Sequence, residues 1–173
     1  MNLHKEIIYI FIFLSVLIYF RLVPHPPNFS PIIAAALIGP YFLKSKTFTI
    51  FIVITAMFLT DIYLGFHIYQ LVIYLTLISI TFFASFIVEK KYLVIYSIIS
   101  SLWFFLTTNF AVWYYWDFYQ KSFEGLLLCY TLAIPFFINT LVSTLIFTIV
   151  SLVYLKPIQY IPEKITRILN FKY

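Results

Sequence analysis

A small set of side chains in this sequence could grip a small molecule: Asp61, Asn109, Trp113, His25, Asn28 and His67. Asp61 is the only acid inside an apolar run, Ala56-Met57-Phe58-Leu59-Thr60-Asp61. A carboxylate in such a helix is costly, so it is expected to serve a ligand or a helix-to-helix network, or else to reach headgroup water. Toward a ligand it would act as hydrogen-bond acceptor or cation partner. Asn109, in Leu106-Thr107-Thr108-Asn109-Phe110, occupies the corresponding depth on another helix. Its amide can contact a ligand or join helices. Trp113, the first of Trp113-Tyr114-Tyr115-Trp116, offers either an interfacial belt residue or a stacking face. His25 and Asn28 sit in a proline-rich loop and His67 in the next turn on the same side, and loops on a rigid frame are where recognition gathers. Asn139, one turn past Pro135, is expected to satisfy a carbonyl that the proline frees.

Other chemistry finds no support. No nucleophile elbow, phosphate loop, HExxH or carboxylate pair occurs, so an enzyme is not expected. His25 and His67 have no fixed spacing and Cys129 is the single cysteine, so neither a metal site nor a disulfide is expected, and no cofactor is implied. The sequence is 173 residues long, 64% hydrophobic and 10% charged, whereas about half apolar is normal for a soluble domain. The expected class is therefore an all-α membrane protein in a lipid bilayer, with residues 1–155 as one polytopic helical domain. The net charge of +5 is scattered over short turns, which gives no nucleic-acid surface.

The elements that must position those side chains follow from apolar runs and breakers. Residues 7–23 read as a retained first helix, since no small-residue cleavage site follows them, with Arg21 snorkelling to the interface. Residues 24–31 hold four prolines in eight positions and form an extended loop. Ser30-Pro31 reads as N-cap and N1 of a helix over 31–43, too short at about 20 Å for the roughly 30 Å hydrocarbon core, so it is a short span or a re-entrant one. Its Ala35 and Gly39, with Ala34 and Ala36, suit close packing inside the chain or against a partner. Further spans are expected over 47–64, 69–88 and 92–113, followed by an aromatic loop over 114–124. The run from Gly125 to Leu155 is too long for one straight span, so Pro135 is expected to divide it. The bundle then has about six transmembrane helices, or five if the 31–43 helix is re-entrant. Residues 156–173 suit a basic amphipathic helix on the cytoplasmic leaflet, or a frayed tail. Of the 11 Lys and Arg, about nine fall on one side in either arrangement, which places that side and the C-terminus in the cytoplasm and the six grip residues outside.

Residues 27–40, Pro-Asn-Phe-Ser-Pro-Ile-Ile-Ala-Ala-Ala-Leu-Ile-Gly-Pro, followed by Asp61-Ile62-Tyr63-Leu64-Gly65, resemble the substrate-binding S components of energy-coupling factor transporters. Pro24 to Phe29, Gly65-Phe66-His67, Asn109 to Trp113 and Pro135 to Thr140 resemble a family of uncharacterised bacterial membrane proteins described as candidate transporters. The S-component likeness implies six helices in a bacterial inner membrane. It also implies capture of a vitamin-like micronutrient from outside, beneath the loop after the first helix, and a transmembrane coupling subunit with ATPases as partners. That family docks through small residues in its first helix; here residues 7–20 hold only Ser15, and the small surface lies at 34–39 instead. The expected function is a substrate-capturing subunit for uptake of a small organic micronutrient. The alternative is a non-transport membrane scaffold or assembly factor.

Overall fold

The computed structural model describes residues 3–87 and 89–154, with side chains from residue 10 onward. The 156–173 tail lies outside the described residues. Six α-helices make up the described chain, and no strand occurs among its residues: α1 (Leu3–Leu22), α2 (Ile32–Leu43), α3 (Lys46–Leu64), α4 (Gln70–Ala84), α5 (Leu93–Tyr115) and α6 (Phe123–Tyr154). A single 3-10 turn, Lys90–Tyr92, leads into α5. Three helical segments, Lys46–Leu64, Lys90–Tyr115 and Phe123–Tyr154, are long and apolar enough to cross a membrane. Ile10–Leu22, α2 and α4 are shorter apolar helices.

Local chemistry accounts for most boundaries. The Pro26-Pro27-Asn28-Phe29 stretch closes on a bond from Phe29 N to Pro26 O of 3.0 Å, with Asn28 at φ 63. Proline followed by a residue at positive φ is the pattern of a type II turn, and asparagine tolerates that conformation better than most residues. Ser45 caps α3 by accepting from Phe48 N at 3.2 Å. Several expected boundaries differ, two of them for a visible local reason. Ser30 does not cap α2: Pro31 occupies the cap position, no side chain caps the helix, and the Pro31 carbonyl takes the first bond from Ala35 N at 2.8 Å. The helix expected over 69–88 ends at Ala84, where Ser85 N turns back to Thr81 and Phe82 carbonyls.

Pro135 does not divide the last helix, contrary to the sequence expectation. α6 continues through it as one element of 32 residues, about 48 Å at helical rise. A proline removes one backbone bond, and α6 is held on both sides of it by α5. Tyr130 Oη donates to the Leu106 carbonyl (2.7 Å) before the proline, and Ser97 Oγ donates to Thr148 Oγ1 (3.0 Å) after it. Neighbouring helices of this kind are what let apolar helices carry prolines.

The least expected placement is that of α2. Every residue from Ile32 to Leu43 except Pro40 and Tyr41 is buried, and α3, α4, α5 and α6 surround it. The small residues Ala34 to Gly39 therefore serve packing inside the chain, not a partner surface. They let α3 come close: a Cβ on Gly39 would lie 2.8 Å from Thr49 Oγ1 and nearer still to the Thr49 methyl. Thr49 is fully buried and its hydroxyl is fixed on the Ser45 carbonyl at 2.8 Å, so it has little freedom to yield. Around this centre polarity is inverted. Thr81, Ser97, Ser101, Thr144 and Thr148 are inside, while Phe51, Leu71, Phe83 and Val153 are more than half exposed. Buried hydroxyls satisfy carbonyls four residues back, as Thr81 does at Leu77 (3.0 Å), or cross between helices, which is how helices associate in lipid.

Gly39→Ala should lower the thermal unfolding midpoint in detergent, by on the order of 1–3 kcal/mol of overpacking. Adding Thr49→Ala should recover part of that loss. A single variant that unfolds at the parent's midpoint would refute the close α2–α3 contact as the reason for glycine.

Candidate functional site

Asp61 lies one turn before the C-terminal end of α3 and is 2% exposed. It does not reach headgroup water. Both carboxylate oxygens are engaged: Oδ1 accepts from Arg21 Nη2 of α1, and Oδ2 accepts from Gln70 Nε2 and from Tyr74 Oη (2.7 Å), both of α4. The Arg21 side chain is 22% exposed and turns inward to form this ion pair instead of snorkelling to an interface. An isolated carboxylate in such a setting is far too costly, so pairing with the guanidinium and two further donors is the condition for burying it. One acidic residue thereby ties α1, α3 and α4 together.

Above this network lies a cavity of about 460 Å³, within the ~300–1,000 Å³ range of small-molecule sites. Arg21 and Gln70 form part of its wall, so the network is also the cavity's polar support. The 24–31 loop covers it through His25, Asn28 and Ser30; Ile33 and Leu77 give apolar walls; Phe104 and Phe136 give aromatic ones. The loop is pinned from α6, where Asn139 Nδ2 donates to the Pro27 carbonyl at 3.0 Å. Asn139 thus serves the loop and not the carbonyl freed by Pro135. A ring contact between Phe29 and Phe147 (6.2 Å) supports the same loop. His67 stacks flat on Tyr69, with centroids 5.4 Å apart, and both line the opening.

The cavity has a defined place in the bundle. α3 starts at Lys46 and meets the cavity at its other end, through Leu64. α5 starts beside Lys90 and Lys91 and meets it through Val112, with Trp116 following. The cavity therefore sits at the bundle end opposite the Lys44–Lys46 and Lys90–Lys91 turns.

Of the six residues singled out by type and spacing, the structure brings four together on the cavity wall: His25, Asn28, His67 and Asn109. Asn109 returns its Nδ2 to the Phe105 carbonyl at 2.8 Å. Its side-chain oxygen takes no hydrogen bond among the described residues. Asp61 stands behind the wall, with its oxygens spent on Arg21, Gln70 and Tyr74. Trp113 also lies off the wall. Its indole N–H donates to the Gln120 carbonyl (2.9 Å), and Lys121 Nζ donates to the Trp113 (2.5 Å) and Trp116 (2.8 Å) carbonyls, so this tryptophan folds the 116–122 loop back onto the bundle. Trp116 and Tyr119 from that region face the cavity instead.

Arg21, Gln70 and Tyr119 are wall residues that the sequence reading did not place, whereas Trp116 belongs to the aromatic run read as a belt or a stacking face. For Arg21 a signal existed: it is a base inside one apolar run and Asp61 an acid inside another, and opposite charges in lipid-like surroundings seek each other. No comparable signal marks the rest. Burial pushes the Tyr69 phenol above its ordinary range, and burial with the nearby Cys129 thiol does the same for Tyr119. Both remain neutral donors at neutral pH. No acidic residue lines the cavity, and no cluster of metal-ligating side chains occurs among the described residues.

The chain belongs to a family of unknown function, DUF6580, whose pattern it matches over residues 1–160. No curated protein and no solved structure matches it.

Asp61→Asn should leave the Arg21 charge without its partner. The expected loss of stability is roughly 2–4 kcal/mol, below the cost for a fully buried pair because the guanidinium keeps some access to water. Arg21→Gln placed on top of it should restore more than half of the loss in a double-mutant cycle read by thermal unfolding in detergent. Additive losses would show that the two side chains act separately.

Proposed function

We propose that this chain is the substrate-capturing subunit of an uptake system for a small organic micronutrient, similar to the S components of energy-coupling factor transporters. The observation that carries the reading is the cavity of about 460 Å³, closed over by a pinned loop and gathering His25, Asn28, His67 and Asn109 at one end of a helical bundle. Orientation follows from the charge rule. Short-loop Lys and Arg favour the cytoplasm, so the Lys44–Lys46 and Lys90–Lys91 turns lie inside and the cavity opens outward. The C-terminus is then cytoplasmic, in the inner membrane of a bacterium.

The chain carries no phosphate loop, so concentrative uptake draws on a transmembrane coupling subunit with ATPases or on an ion gradient. The small residues of α2 are committed to the core, so docking on a coupling subunit uses another face. The scaffold alternative keeps one supporting observation: Asp61, the most conspicuous polar group in the sequence, is occupied in holding three helices together.

Protein purified in mild detergent should release a small molecule on denaturation, detected by mass spectrometry. Ala133 lines the cavity and is 6% exposed, so Ala133→Phe fills the space. That variant should fold and come out empty. Added micronutrient at a hundredfold over its Kd should stabilise the parent by about 2.7 kcal/mol. If parent and filled variant release the same material, and no vitamin or nucleobase shifts the parent's unfolding, capture is excluded and the scaffold reading stands.

A further inference from the structure

We propose that the cavity takes a small organic monoanion, with its carboxylate seated on the Arg21 guanidinium and its apolar body between Ile33, Phe104 and Phe136. The inference rests on the capture reading and specifies its ligand class. Among the described residues, Arg21 is the one formally charged side chain on the wall, apart from the two titratable histidines. Among the described residues its only hydrogen bond runs from Nη2 to Asp61, and its Nε is buried without any partner. Nε is sealed inside the wall, so the donor open to a ligand is Nη1, which has no hydrogen bond among the described residues and is not sealed; an unused donor on a charged group favours a ligand or water that takes it.

The ion pair does not cancel this preference. Asp61 is behind the wall and Arg21 is on it, so the pair is a dipole with its positive end toward the cavity. In surroundings of low dielectric that orientation matters far more than in water. α2 adds to it: its N-terminal residues Ile32 and Ile33 are on the wall, and no side chain caps that terminus. A free helix N-terminus carries partial positive charge. A cationic ligand would meet no counter-charge, because both Asp61 oxygens are taken. A phosphate dianion is disfavoured as well. Its desolvation cost scales with the square of charge, roughly four times that of a carboxylate, and one guanidinium is available to offset it.

The test uses the full chain in detergent and a bacterial metabolite extract passed through ion exchangers to give anionic, neutral and cationic small-molecule pools. Each pool is added in a thermal unfolding assay. The anionic pool should raise the midpoint, and treating that pool with alkaline phosphatase should leave the effect intact. Arg21→Lys keeps the charge opposite Asp61 but is a point donor instead of a fork, so it should need roughly tenfold more of the pool for the same shift. Should that variant not fold, Arg21→Gln with Asp61→Asn serves, and its response to the pool should vanish. A shift from the neutral or cationic pool alone overturns the proposal and leaves capture standing. Loss of the effect after phosphatase overturns the carboxylate in favour of a phosphate ester. An unchanged response in the Arg21 variants overturns the seat. No shift from any pool removes the capture reading and this proposal together.

Discussion

A single carboxylate, buried where water cannot reach it, constrains this bundle. Asp61 is tolerated at 2% exposure only because a guanidinium and two neutral donors surround it. Those donors come from α1 and α4, so satisfying one side chain of α3 positions three helices. The same requirement builds part of the cavity wall, since Arg21 and Gln70 bond to Asp61 and also line the cavity. The helix-joining network and the cavity wall therefore share residues, and the guanidinium edge of the ion pair is the one the cavity meets.

The second constraint is the inversion of polarity. Large apolar side chains cover the outside, and small and hydroxyl-bearing residues lie inside beside Leu37, Ile52, Leu77 and other aliphatics, because burial of oil against oil gives little preference in a lipid setting. Helices then associate by close backbone approach and by hydroxyls. α2 is the extreme case. Its alanines and Gly39 let α3 pack tightly, and its position at the centre leaves no face for a partner. A helix of 12 residues surrounded on all sides also gives the cavity a rigid wall through Ile32 and Ile33.

The cover over the cavity is built from restraints of a different kind. Four prolines stiffen the 24–31 loop, a tight turn at Asn28 bends it, and Asn139 and Phe147 fasten it to α6. On the opposite rim, Trp113 and Lys121 staple the 116–122 loop by their bonds to main-chain carbonyls. Both loops are thus shaped by contacts that keep His25, Asn28 and Trp116 on the cavity wall.

Much of the fold can be read from the chain because it depends on local chemistry. Apolar runs, prolines and the Lys44–Lys46 and Lys90–Lys91 turns determine an all-helical protein, the order of its helices and which ends carry the charge, while leaving open whether the short 31–43 helix spans. The four loop and helix-end residues of the cavity, His25, Asn28, His67 and Asn109, were also within reach, since they share one end of the bundle whatever the packing. What only the tertiary structure decided is which face of each helix looks inward. These helices are apolar on every side, so no stripe of hydrophobic residues announces the buried face. For that reason the Gln70 and Tyr74 bonds to Asp61, the burial of α2, the continuity of α6 through Pro135 and the removal of Trp113 from the cavity wall were not visible beforehand. Each depends on a neighbour far away in sequence, and distance along the chain carries no trace of it until the helices meet.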